Sequence, residues 1–308
     1  MDKMENLWVI LALISAFFFG LRDIIAKKYF SEKSKFTPKD AVFFEYFFLL
    51  LLVLIIFLPQ INFLSFVDMY FLYILKAFSV AIASYFYFYL LKKYDISLVS
   101  PLINLSPLVL YILSTIFLAE VVTPIQLLGV LVIIGATYYL EVVIHHHDKK
   151  DPHKHHVFHL NKVTKSFDVY FYGVGLLLLI ILSLAAISDR LILMQVDVGT
   201  NIFFTALFVL VGLLAYEIKE GKFLLGDIKK IKEEPKILFF SAAAVASTFF
   251  VLKAISIPSA LISLIIPLRR TSTLFSSLVG GMLFHEKHLP KKLIATGLMV
   301  VGVVLIVL

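Results

Sequence analysis

Ten runs of apolar residues, each close to the length needed to cross a lipid bilayer, limit what this chain can fold into. A hydrocarbon core about 30 Å thick takes roughly 20 helical residues to cross. Runs of that size cover 7–26, 41–58, 69–91, 96–118, 125–144, 169–194, 200–218, 236–254, 259–284 and 291–308. They are continuous rather than alternating, which selects helix over barrel strand. Only 16% of the 308 residues are charged, against about 25% in soluble domains, so the chain is expected to be an all-α integral membrane protein. The first run is too long for a signal-peptide core and has no clean small-residue cleavage site, so it is expected to be retained. With no cysteine, the chain has no thiol catalysis, disulfide or cysteine-bound metal.

The runs fall into two sets of five. Ile96, Ser97, Leu98, Val99, Ser100, Pro101 and Leu102 return as Ile262, Ser263, Leu264, Ile265, Ile266, Pro267 and Leu268, an offset of 166. The same offset pairs Asp23 with Asp189, Glu120 with Glu286, and Pro124 with Pro290. A duplicated unit with an odd number of spans places its copies upside down, an arrangement typical of transporters. The expected architecture is ten transmembrane helices as two inverted five-helix repeats around a central cavity. The first repeat covers 1–144 and the second 169–308. Residues 145–168 form a polar, charged, histidine-rich linker.

The net charge of +7 is a topology signal rather than a nucleic-acid footprint. The loops after odd-numbered spans, with their flanks, hold 21 of the 28 lysines and arginines. The positive-inside rule puts those loops in the cytoplasm and both termini outside.

At the end of the fourth span, Glu120, Val121, Val122, Thr123 and Pro124 read as a helix start: Thr123 caps the fifth helix and Pro124 occupies its first turn. Glu120 and Glu286 are then expected to favour a nearby helix N-terminus through the dipole. The run from Leu118 to Gly135 and its second copy, from Leu283 to Gly302, resemble the closing signature of an EamA-type half in the drug/metabolite transporter superfamily. The resemblance covers the whole chain apart from the linker. It implies ten helices, inverted five-helix repeats, a central cavity and carriage of a small molecule. It also implies cytoplasmic termini, opposite to the lysine count. The small multidrug-resistance relatives use a glutamate deep in the first helix, whereas residues 13–20 here contain no acid.

Arg269 and Arg270 are the sharpest chemical signal, because they fall near the middle of the ninth span. An arginine there costs at least about 2.5–3.5 kcal/mol on insertion. Arg269, Ser272, Thr273 and Ser276 follow helical spacing and give it a polar stripe. Asn104 and Tyr111 lie on a polar face of the fourth span, which would look at this stripe across the cavity. Guanidinium forks with amide and hydroxyl groups suit a carboxylate, phosphate or similar anion. The expected substrate is therefore anionic or zwitterionic, such as an amino acid or related compound. Pro101 and Pro267 would loosen backbone bonding near the midplane.

Asp23 with Arg22, and Asp189 with Arg190, read as symmetric interfacial ion pairs or as gates. Lys76 either snorkels or supplies another cavity cation. Glu45 and Lys253 are expected at the interface. No carboxylate is placed clearly at the midplane, so proton coupling draws no support from the sequence. Tyr85, Phe86, Tyr87, Phe88 and Tyr89 spread around the helix and are assigned mostly to lipid contact and packing.

His145, His146, His147, His153, His155, His156 and His159 in the linker are good ligand types without fixed geometry, and are read as an adventitious divalent-metal binder. They also motivate an alternative, a divalent-metal transporter with a metal-sensing loop. An enzyme would need convergent acid and base groups. Only His285, Glu286, Lys287 and His288 offer these, and the repeat already explains the glutamate. The expectation is thus a multi-pass cell-membrane carrier, not an enzyme. It needs no cofactor and no resident metal. Its partners are a small molecule and the lipid bilayer, not nucleic acid.

Overall fold

The computed structural model describes residues 6–29, 37–93, 102–139, 169–219, 237–273, 275 and 289–308. Within them lie α1 (Leu7–Tyr29), α2 (Pro38–Ile56), α3 (Ser65–Lys93), α4 (Ser106–Leu118), α5 (Pro124–Tyr138), α6 (Val169–Leu193), α7 (Val198–Lys219), α8 (Ile237–Ile255), α9 (Ile262–Arg270) and α10 (Leu289–Val307). No strand occurs among the described residues. The histidine-rich linker, Pro101, Ser276 and Glu286 lie outside them.

Local sequence explains where several helices begin. Thr37 accepts a hydrogen bond from the Asp40 amide, and Asp40 accepts one from the Thr37 amide, with Pro38 in the first turn of α2. Thr123 and Gln126 exchange the same pair at the start of α5, with Pro124 in the first turn as expected. At the end of α4, Ala119 takes a left-handed conformation (φ 51°) and closes the helix on the Ser114 carbonyl.

Two of the expected spans are interrupted. Within 96–118, Leu102 and Ile103 are helical, Asn104 and Leu105 form a turn, and α4 begins at Ser106 with Pro107 in its first turn. Within 259–284, α9 runs from Ile262 to Arg270, and Ser272, Thr273 and Phe275 are helical again after a turn at Thr271. There the Thr271 amide and hydroxyl both turn back to the Leu268 carbonyl, at 3.1 and 2.7 Å. Five helices, α1, α3, α6, α7 and α8, are long and apolar enough to cross a bilayer unaided. Of the rest, α2 carries Lys39, Asp40 and Glu45. Helices α4 and α5 are shorter apolar segments, and α9 has nine residues ending in Arg269 and Arg270.

Packing joins the first five helices to the last five in antiparallel pairs. In α2 and α7, Lys39 pairs with Glu217 at one end, while Phe57 lies against Gly199 at the other. In α5 and α10, the Gln126 amide donates to the Ile306 carbonyl at one end, and Ala136 clusters with Ala295 and Met299 at the other. Gly129 and Gly302 meet between them. A Cβ on Gly129 would fall 2.7 Å from the Gly302 carbonyl oxygen, so the close approach requires glycine. In α3 and α6, Tyr73 shares a cluster with Ile192, Lys76 pairs with Asp189, and Leu90 shares a cluster with Phe171. Helix α1 packs on α8, where Ser15 and Ser247 each donate to the other's carbonyl, at 2.8 and 3.1 Å. These contacts bring the polar residues of both halves toward one interior space.

Candidate functional site: a charged interior cavity

A cavity of about 240 Å³ lies between the two sets of helices. Its wall is mostly apolar but includes Arg22, Asp23, Glu45, Lys76, Asp189, Arg269 and Arg270. Four cations and three carboxylates therefore share a space that the sequence places inside the bilayer.

Arg269 reaches the cavity from the last turn of α9. Its Nη2 donates to the Ser247 hydroxyl at 3.1 Å, and its guanidinium lies 4.4 Å from the centre of the Phe19 ring. Its Nε is buried without a hydrogen-bond partner, and no carboxylate among the described residues comes within 4.0 Å of it. Arg22 stacks on the same Phe19 ring at 4.3 Å. It is shared by Asp23 at 3.4 Å and Glu45 at 3.7 Å. Phe19 thus holds two guanidiniums through cation–π contact. Arg270 crosses from α9 to α4, where its Nη2 donates to Ser106 Oγ at 2.7 Å.

On another wall, Lys76 of α3 forms an ion pair with Asp189 of α6 and donates to Asn201 Oδ1 of α7 at 2.8 Å. Asn201 donates in turn to Asp189 Oδ1 at 2.9 Å. Each member of this triad satisfies the other two, which is what a buried charge pair requires.

The sequence expectations meet this geometry unevenly. Arg269, Arg270, Asn104 and Thr273 all line the cavity. Tyr111, on α4, is not among the lining residues, whereas Asn104 sits in the turn before that helix. Arg22 and Asp23 pair as expected, but they lie at the cavity rather than at the interface. Asp189 does not pair with Arg190. It takes Lys76, while Arg190 donates to the carbonyls of Ile255, Ile257 and Pro258 at 2.5, 3.0 and 2.8 Å, satisfying the C-terminal end of α8. Lys76 faces the cavity and is buried. Glu45, expected at the interface, is a buried cavity residue. Asp23, Glu45 and Asp189 all line the space. Of the aromatic run, Tyr87 lines the cavity, whereas Tyr85 is exposed and stacks on Tyr89.

Glu120 also departs from expectation. It does not serve α5. It crosses to the other half and takes the N-terminus of α9: the Ile262 amide at 2.8 Å, the Ser263 amide at 3.0 Å and the Ser263 hydroxyl at 2.5 Å. The dipole argument holds, applied to a different helix. Pro267 sits inside α9 one turn before the arginines, and its missing N–H leaves the Ser263 carbonyl without a helical partner. A cation-balance argument points to Glu45 and Asp189 in the sequence, because each intramembrane arginine or lysine needs an acid within reach. Among the described residues no group of three His, Cys, Asp or Glu side chains could hold a metal ion.

Residues 6–141 match the EamA-like transporter family. No curated protein sequence matches the chain significantly. Fifteen solved chains resemble it in fold. One, described only as the crystal structure of a protein, superposes with a TM-score of 0.67 at 14% identity, covering 99% of this chain and 96% of its own. That likeness speaks for the fold alone.

Proposed function

Because residues 6–141 belong to the EamA-like transporter family, within the drug/metabolite transporter superfamily, we propose that this multi-pass membrane protein is a secondary carrier of a small organic metabolite. The substrate bears a carboxylate or similar anionic group, alone or within a zwitterion. It binds in the cavity between residues 1–144 and 169–308, and the two halves expose it alternately to either side of the cell membrane. The antiparallel pairing of α2 with α7 and of α5 with α10 supports the inverted arrangement. These helices hold corresponding places in the two halves of the 166-residue repeat. Substrate exchange rather than catalysis also agrees with a wall whose charges are mostly engaged with one another.

One observation carries the anionic reading: Arg269 enters the cavity with a buried Nε that has no hydrogen-bond partner, and no carboxylate among the described residues lies at ion-pair distance from it. A buried guanidinium without a counter-ion is costly, and an anionic ligand supplies one. The test is flux of labelled small carboxylates into proteoliposomes. Arg269→Ala is expected to abolish it and Arg269→Lys to retain a fraction, since lysine keeps the charge but not the fork. Full flux through Arg269→Ala would remove the reading.

A further inference from the structure

We infer that Glu120 is a latch: its carboxylate holds α9 to the first half of the chain and keeps the cavity closed on the face that carries the α4–α5 connection. This rests on the reading of the cavity as a substrate site reached from each side in turn, and names the contact that must open on one side.

Cross-contacts between connections define that face. The Asn62 amide, between α2 and α3, donates to Thr200 Oγ1 in the first turn of α7 at 3.0 Å. Glu120, between α4 and α5, takes the amides of Ile262 and Ser263 and the Ser263 hydroxyl. Arg190, near the end of α6, holds the carbonyls of Ile257 and Pro258 between α8 and α9. Ile266 lines the cavity, and Ile262 lies one turn farther out on the same helix. Glu120 is only 7% exposed and does not line the cavity itself. Its clamp therefore sits between the cavity and this face.

The start of α9 depends on this distant carboxylate. A helix usually receives its cap from the residue just before it, as α5 does from Thr123. The residue before α9 is Leu261, whose side chain makes no capping bond. The first amides of α9 are thus satisfied by the other half of the chain, and only while the halves touch there. Parting them on that face admits water, which can take over the freed amides. The bond is one that can be exchanged for water and remade.

Helix α9 also links the latch to the arginines. Both ends of α4 grip it: Glu120 holds its first turn, and Ser106 Oγ accepts from Arg270 in its last. A nine-residue helix, about 13 Å long, passes a shift of its first turn on to its last. Release of Glu120 therefore moves Arg269 and Arg270 as the face opens.

The latch is tested by single cysteines in the full-length protein in proteoliposomes, with impermeant maleimide added on the side from which Val121→Cys reacts. Ile202→Cys reports on the cavity, since Ile202 lines it and is 2% exposed. Leu178→Cys, at a fully buried position in the α3–α6 cluster outside the cavity, reports on general loosening. Adding Glu120→Gln is expected to speed labelling of Ile202→Cys at least about tenfold, a shift of ~1.4 kcal/mol, and to leave Leu178→Cys unchanged. Ser263→Ala should speed it by a smaller factor. Unchanged labelling of Ile202→Cys, or equal gains at both positions, would overturn the latch. Where Glu120→Gln fails to fold, the same two outcomes with Ser263→Ala decide. No substrate is needed for labelling, so a negative result beside normal flux removes the latch alone. Absence of flux through the unaltered protein removes the carrier reading and the latch with it.

Discussion

The outer helix pairs and the interior cavity obey different rules. Around the outside, the contacts of the first five helices recur in the last five: α1 lies on α8 as α6 lies on α3, and α2 meets α7 much as α5 meets α10. Inside, that regularity is only partial: Asp23 and Asp189 correspond and both line the cavity, but most of the charges there have no counterpart. The positions 166 residues from Arg269, Arg270, Lys76 and Glu45 hold Ile103, Asn104, Ala242 and Val211. A repeated frame gives two equivalent ways of closing, which suits a proposed alternation between two sides. A ligand with a head and a tail has no such symmetry, so the groups that recognise it occur once. On the proposed mechanism the frame would serve motion and the single-copy charges recognition.

The sharpest way to break this comparison is topological and all-or-none. The chain contains no cysteine, so single cysteines report without background. Val121 is 83% exposed in the connection between α4 and α5. Val121→Cys and Lys287→Cys occupy corresponding places in the repeat, and are expected to react with an impermeant maleimide from opposite sides of the membrane. Labelling from one side would end the inverted arrangement, and with it the claim that the frame is two-fold.

The next largest effect separates the two kinds of interior charge. Lys76→Ala leaves the largely shielded Asp189 with Asn201 as its remaining partner among the described residues, and should cost about 3 kcal/mol in denaturant-induced unfolding. Replacing both partners, as Lys76→Met with Asp189→Leu, should recover most of that loss. Arg269→Met removes a cation that no carboxylate among the described residues pairs with, so its stability should stay within roughly 1 kcal/mol of the unaltered protein while flux collapses. Equal destabilisation by Lys76→Ala and Arg269→Met would mean that both charges are structural, and that the distinction drawn here is false.

How much of this was readable beforehand follows the same division. The helices were legible because crossing a bilayer imposes a length, and the starts of α2 and α5 because a threonine before a proline is a local signal. Arg269 and Arg270 stood out as charges in an apolar run. Their partners did not, since partner choice is a long-range matter: Lys76 meets an acid in the other half of the chain, and Glu120 reaches amides 142 and 143 residues away. Arg190 was assigned to its neighbour Asp189 on adjacency. The structure turns it instead to the freed carbonyls after α8, because a guanidinium fork satisfies three acceptors at once there. The turn at Thr271, after which Ser272, Thr273 and Phe275 are helical again, leaves no mark in hydropathy.

Glu120 sharpens the comparison from the side of the frame. Its carboxylate takes two amides and a hydroxyl at the start of α9 and so joins the two halves. Glu120→Gln keeps the shape but removes the charge and turns an N–H₂ toward a donor, which should cost about 1.5–3 kcal/mol. Ser263→Ala removes only the hydroxyl and should cost roughly 1 kcal/mol. The ratio is read from chemical denaturation in detergent, and equal losses would show that the charge on Glu120 contributes nothing to holding α9.

The smallest expected change tests whether neighbouring residues in one turn belong to different parts of the frame. Thr123 lies three residues after Glu120, but its hydroxyl and amide are spent within α5 on Gln126. These bonds are solvent-exposed, and its counterpart in the repeat is Leu289, which cannot cap. Thr123→Ala should therefore cost about 1 kcal/mol, the usual worth of an N-cap, and Thr123→Asp should restore most of it. Neither change should alter flux at saturating substrate, because the loss stays inside α5 and leaves the Glu120 contact with α9 intact. A flux defect in Thr123→Ala that Thr123→Asp does not repair would show that the turn acts as one unit across both halves.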